Sequence, residues 1–90
     1  MQNVMTQGFA AELASGNFSA RIFATFATAN ISVNGPSMIV GTSSGCFDEK
    51  AQRTEDGGRT LLMRIAPGSP KFYACINETG GATLMLADEY

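Results

Sequence analysis

Three short runs in the last third of the chain constrain its fold most. Residues 59–65 (RTLLMRI), 71–76 (KFYACI) and 82–87 (ATLMLA) are rich in β-branched, aromatic and aliphatic side chains. Turn-forming residues separate them: Ala66-Pro67-Gly68-Ser69-Pro70 first, then Asn77-Glu78-Thr79-Gly80-Gly81. Six or seven residues are too few for a self-sufficient helix, and glycine and proline punctuate both ends. The pattern predicts three strands joined by tight turns, the second turn being a glycine-containing hairpin loop.

The rest of the chain is read against that β element. Residues 3–15 carry Met5, Phe9 and Leu13 at intervals of four, with good helix formers at 10–14 and Gly16 just beyond, which predicts a helix. From Phe18 to Phe26 apolar residues fall on every second position, which predicts a half-buried strand. Phe23 interrupts its polar face and is expected to be exposed to a partner. Residues 29–33 alternate again, Asn34-Gly35 marks a turn, and Ser37–Val40 reads as a returning strand. The fold expected is mainly β (α+β) in a single domain over 1–90. It has a helix at 3–15 and a β region at 18–87 of about five short antiparallel strands, forming a small sandwich or barrel. The stretch 48–58, DEKAQRTEDGG, holds six of the fourteen charges and reads as an exposed, mobile loop.

One motif suggests chemistry. Gly41-Thr42-Ser43-Ser44-Gly45 matches G-x-S-x-G, the pattern of a nucleophile elbow. A serine nucleophile needs a base to take its proton, ordinarily histidine, and the chain has none. Lys50 and Lys71 are the only lysines, and Lys50 sits in the charged loop. The motif is therefore read as a place where a strand bends, and no catalytic residue is assigned. The paired carboxylates Asp48/Glu49 and Glu55/Asp56 lack the alternating spacing of a calcium loop and read as solvated side chains. Two cysteines without histidine do not make a structural zinc site. Cys46 and Cys75 read as small buried hydrophobes. No cofactor and no metal is expected.

Charge narrows the partners. Six basic residues are scattered among eight acidic ones, for a net charge of −2, so no basic patch is present to meet a phosphate backbone. Nucleic acid is not expected as a partner. No apolar run approaches the roughly 20 residues of a spanning helix, so no membrane partner is expected. The first basic residue is Arg21, which does not fit a secretory signal, so an intracellular product is expected. Charged residues are only 16% of the chain, against a usual quarter, and a small domain so poor in charge suits either a surface covered in part by protein or a tightly packed monomer with a Ser/Thr/Asn/Gly surface. The residues expected to meet a partner are Phe23 and, in the charged loop, Asp48, Glu49, Lys50, Arg53, Glu55 and Asp56.

The run Gly45-Cys46-Phe47-Asp48-Glu49, leading into a polar loop at 49–58, resembles the small head–tail joining proteins of tailed bacteriophages. In that family an apolar–Gly–apolar–Phe–Asp–acidic stretch closes one strand and introduces a loop. Where the family carries a Gly-Asp turn between its last strands, this chain has Ala66–Pro70. The resemblance implies a small β-barrel with a short helix, a homo-oligomeric ring at the neck of the virion, and assembly in the host cytoplasm. The competing expectation is a small cytoplasmic binding or regulatory module.

Overall fold

Two helices lie on one face of a mixed, open sheet. The computed structural model describes residues 2–43 and 59–90, together with the backbone of 52–53. In chain order the elements are β1 (Val4–Met5), α1 (Gln7–Ala14), α2 (Phe18–Asn30), β2 (Met38–Thr42), β3 (Gln52–Arg53), β4 (Thr60–Arg64), β5 (Phe72–Ile76) and β6 (Ala82–Leu86), then a closing 3-10 turn at Ala87–Glu89. The strands lie in the order β1-β6-β5-β2-β4-β3.

The three C-terminal strands stand where their sequences put them. β5 and β6 form an antiparallel hairpin, with Ala74 opposite Leu84. Its turn closes through Asn77, whose backbone N–H donates to the Gly81 carbonyl at 2.9 Å and whose Oδ1 accepts from Thr79 N at 3.0 Å and Gly81 N at 3.1 Å. Two pairings depart from the antiparallel expectation. β2 runs parallel to β4, Ile39 opposite Leu61, and β1 runs parallel to β6. The link 43–59 exceeds the dozen or so residues that a parallel crossover needs. The sheet does not close, so neither the barrel nor the sandwich is formed: α2 and α1 supply the second layer that a second sheet would have given.

The largest correction concerns 18–33. Phe18–Asn30 is one helix, not a strand, and residues 31–37 are the turn that leads into β2. The N-terminal helix is also shorter than 3–15, because Val4–Met5 pair with β6. Gly16 ends α1 in the left-handed region, φ 85°, as its position predicts. Asn17 then caps α2, its Oδ1 accepting from Ser19 N at 3.0 Å and Ala20 N at 3.3 Å. From that cap Ala20, Phe23, Ala27 and Ile31 recur at helical intervals and are buried. Apolar residues fill so much of this segment that both a two-residue and a helical period fit. Ala20, Ala24, Ala27 and Ala29, with the capping Asn17, favour the helix.

Phe23 is therefore a core residue, fully buried, and not the exposed aromatic expected from strand alternation. It lies 6.1 Å from Phe9 and 5.4 Å from Phe72 between ring centroids, and Phe9 meets Phe72 edge-on at 5.1 Å. These three rings join α1, α2 and β5. Around them pack Ile39 of β2, Leu61 and Met63 of β4, Ala74 of β5, and Ala82 and Leu84 of β6. A further tie comes from Ser19, whose buried hydroxyl accepts the Ala66 N–H just past β4 at 3.0 Å.

Candidate interaction surface

With Phe23 turned inward, α2 has a second face. Phe18 is 68% exposed and Ile22 is 42% exposed, and Phe26 is half-buried at the edge of the core. These three stand at i, i+4 and i+8, so they form one stripe along the helix. With Arg21 and Thr25 they line a shallow depression of about 450 Å³. Scattered exposed hydrophobes are ordinary on a surface; two large ones in line, beside a third, make this stripe the candidate contact face.

The polar groups of this helix are largely satisfied within it. Thr25 Oγ1 donates to the Arg21 carbonyl at 3.0 Å, Thr28 Oγ1 to the Ala24 carbonyl at 2.8 Å, and Asn30 Nδ2 to the Phe26 carbonyl at 2.8 Å. The hydroxyls thus ask little of a partner, and the face can be desolvated cheaply. Arg21 is the one charge on α2.

The sheet's outer face is apolar as well. Leu62, Val40, Tyr73 and Met85 stand in register across β4, β2, β5 and β6. Each is buried or half-buried, and less exposed than Phe18 or Ile22. Tyr90 packs edge-on against Tyr73 with centroids 5.1 Å apart, and the Lys71 ammonium lies 5.4 Å from the Tyr73 ring centre. Cys75, free and half-buried on the same face, has its thiol pushed up by burial, which makes it a poor nucleophile.

G-x-S-x-G has a structural explanation at its first position. Gly41 lies in β2 directly under Phe23: a Cβ there would meet Phe23 Cδ1 at 2.8 Å and Cε1 at 3.0 Å. Thr42 is buried, and its carbonyl accepts Ile65 N–H at 3.2 Å. Ser43 is exposed at the strand end, and Ser44 and Gly45 lie outside the described residues.

Of the expected partner residues, Phe23 is in the core. Asp48, Glu49, Lys50, Glu55 and Asp56 lie outside the described residues, as do Cys46 and Phe47. Arg53 is described by its backbone, which pairs with Leu61 as part of β3. Sequence reasoning missed Phe18, Ile22 and Phe26 as a surface because the strand assignment put all three on its buried side. The signal was present in their spacing of four, and the cap at Asn17 should have weighed it.

Comparison with protein-family models, with curated proteins and with solved structures finds no match.

Proposed function

We propose that this chain is a non-enzymatic assembly subunit, acting through protein–protein contacts in which the Phe18–Ile22–Phe26 face of α2 is a docking surface. The carrying observation is that stripe: Phe18 and Ile22 are held in water by a capped helix whose opposite side is locked into the core. The low charge content and net charge of −2 favour a protein partner over nucleic acid. The missing histidine leaves Ser43 without the usual base.

Within this reading, the likeness of residues 45–49 to head–tail joining proteins of tailed bacteriophages makes a virion neck component the more specific proposal, with assembly in the host cytoplasm. The open two-layer sheet departs from the barrel that the likeness implies, so the proposal rests on the surface of α2 and on those five residues.

Light scattering on the purified chain, at concentrations up to about 1 mM, tests the reading. A mass that rises above that of one chain supports it. A single-chain mass at every concentration, with no binding to a virion neck preparation, overturns it.

A further inference from the structure

Residues 2–6 lie along β6 with little ladder of their own. Gln2 to Met5 are exposed, and the pairing of β1 with β6 is two residues long, Val4 with Thr83 and Met5 with Leu84. Contacts at the two ends supply the rest. At one end Asn77 Nδ2 donates to the Gln2 carbonyl at 2.9 Å, Gln2 N–H donates to Thr79 Oγ1 at 2.9 Å, and Asn3 Oδ1 accepts the Ala82 N–H at 2.9 Å. At the other end Thr6 N–H donates to the Leu84 carbonyl at 2.9 Å. There Glu89 gathers the Thr6 hydroxyl and the Gly8 and Leu86 N–H groups on one carboxylate.

Two glycines leave room for these contacts. A Cβ at Gly81 would strike the Gln2 carbonyl, its carbon at 2.6 Å and its oxygen closer still, and Asn3 Oδ1 at 2.9 Å. A Cβ at Gly8 would meet the Glu89 carboxyl, Oε1 at 2.6 Å and Cδ at 2.8 Å. Glycine inside α1 gives up helix stability that alanine would supply, and the space it leaves is where the carboxylate lies.

We propose that residues 2–6 are a strap that opens from β6 as one unit, with Glu89 as its catch, while the two-layer core stays folded.

Burial sets where the break falls. Phe9 anchors α1 in the core, whereas Val4 and Met5 are exposed, so opening the strap gives up little apolar contact. Segments with few buried contacts and solvent-exposed hydrogen bonds open at lower free energy than the whole molecule. The catch is a charged one: the Thr6 hydroxyl above all holds the Glu89 carboxyl below its ordinary range, so it is ionised at neutral pH, and an ionised acceptor makes the stronger hydrogen bonds. Opening uncovers the Ala82 N–H and the Leu84 carbonyl on the edge of β6. Unpaired groups of that kind are what an extended chain pairs with when it adds to a sheet, so the strap hides or presents that edge. None of this depends on the α2 face.

Amide hydrogen exchange of the full chain, followed by NMR at pH 7, reads the opening. Thr6 and Ala82 donate at the two ends of the strap, while Ile76, bonded to Ser37, and Ala66, bonded to Ser19, report the core. Expected in the wild type are protection factors for Thr6 and Ala82 that agree with each other and lie below those of Ile76 and Ala66. Sub-denaturing urea should barely change the strap pair, which exposes little surface on opening, and should lower the core pair. Glu89→Ala should lower both strap values by about fivefold or more, the worth of one ordinary hydrogen bond. Asn3 and Thr6 are about 10 Å apart along an extended chain, so Ala82 at the far end responds only if the strap moves as one. Gly81→Ala, acting from that far end, should lower the protection of Thr6 in the same way. Thr6 and Ala82 protected as well as the core and equally sensitive to urea would overturn the proposal, since the strap would then open only with the whole fold. So would Ala82 or Thr6 unchanged in Glu89→Ala, or Thr6 unchanged in Gly81→Ala. Ile76 and Ala66 check that each variant is folded, and Glu89→Gln replaces Glu89→Ala if that variant is not.

Discussion

Replacing Gly41 by alanine adds one methyl group against the aromatic cluster of the core. Its Cβ would sit 2.8 Å from Phe23 Cδ1, 3.0 Å from Cε1 and 3.3 Å from Ile65 Cγ2. A carbon pair is comfortable near 3.5–4.0 Å, so the Phe23 ring must retreat by about 1 Å. It has nowhere to go. Phe23 is fully buried, and Phe9 and Phe72 hold it from the sides at 6.1 and 5.4 Å between centroids. Overpacking of this kind costs about 1–3 kcal/mol. Gly→Ala also stabilises, by about 0.4–1 kcal/mol, by restricting the unfolded chain, and the backbone at 41 lies outside the left-handed region, so that gain applies. The net is a loss of up to about 2.6 kcal/mol, or a fall in Tm of up to about 20 °C for a domain of this size. Thermal melting by circular dichroism reads it. Phe23→Leu in the same chain removes ring atoms from the clash, so the double variant should lose less than the sum of the two single losses. A Gly41→Ala protein that melts above the wild-type temperature would refute this packing. So would strict additivity with Phe23→Leu.

Other perturbations test other joints. Phe23→Ala should destabilise by about 3–5 kcal/mol in urea unfolding, because it empties the centre of the aromatic cluster; a loss below 1 kcal/mol would return Phe23 to the surface. Ser19→Ala leaves the Ala66 N–H without its acceptor and should cost about 1–3 kcal/mol by the same assay, where an exposed serine would cost almost nothing. Glu89 accepts hydrogen bonds from Thr6 Oγ1 at 2.5 Å, Leu86 N at 3.0 Å and Gly8 N at 3.3 Å, and the Thr6 hydroxyl is the main cause that holds its carboxyl below the ordinary range. A depressed folded-state pKa stabilises above the unfolded value, near pH 4, and the contribution disappears as pH falls through the folded value. Glu89→Gln should therefore be less stable than wild type at pH 7 and converge with it in acid. A gap unchanged between pH 7 and pH 2 would show that the charge at Glu89 plays no part.

The strands at 60–64, 72–76 and 82–86 were legible because turn residues isolate them and their alternation matches one buried face. The hairpin at Asn77–Gly81 was legible for the same reason. Residues 18–30 were not. Alternation of Phe18, Ala20, Ile22, Ala24 and Phe26 suits a strand only if every second residue is buried; the helix buries 20, 23 and 27 and leaves 18 and 22 in water. A period count cannot separate the two when alanine and phenylalanine fill both faces. The local evidence that decides is chemical: an asparagine cap, four alanines, and threonine hydroxyls that bond back to the preceding turn. The parallel pairing of β2 with β4 was hidden for a different reason, since pairing partners distant in sequence leave no periodic trace. The error at 18–30 also moved the candidate site. Turning a strand into a helix exchanges Phe23, expected outside, for Phe18 and Ile22, expected inside.

The central claim is that the exposed face of α2 is a protein contact, and Ile22→Glu tests it most directly. Ile22 is 42% exposed, so a carboxylate there remains in water and the fold should melt within a few degrees of wild type. Sedimentation equilibrium of both proteins up to about 1 mM then decides. The account predicts that wild type associates and that Ile22→Glu stays a single chain. If both proteins sediment alike and bind a virion neck preparation alike, the face of α2 is not the contact.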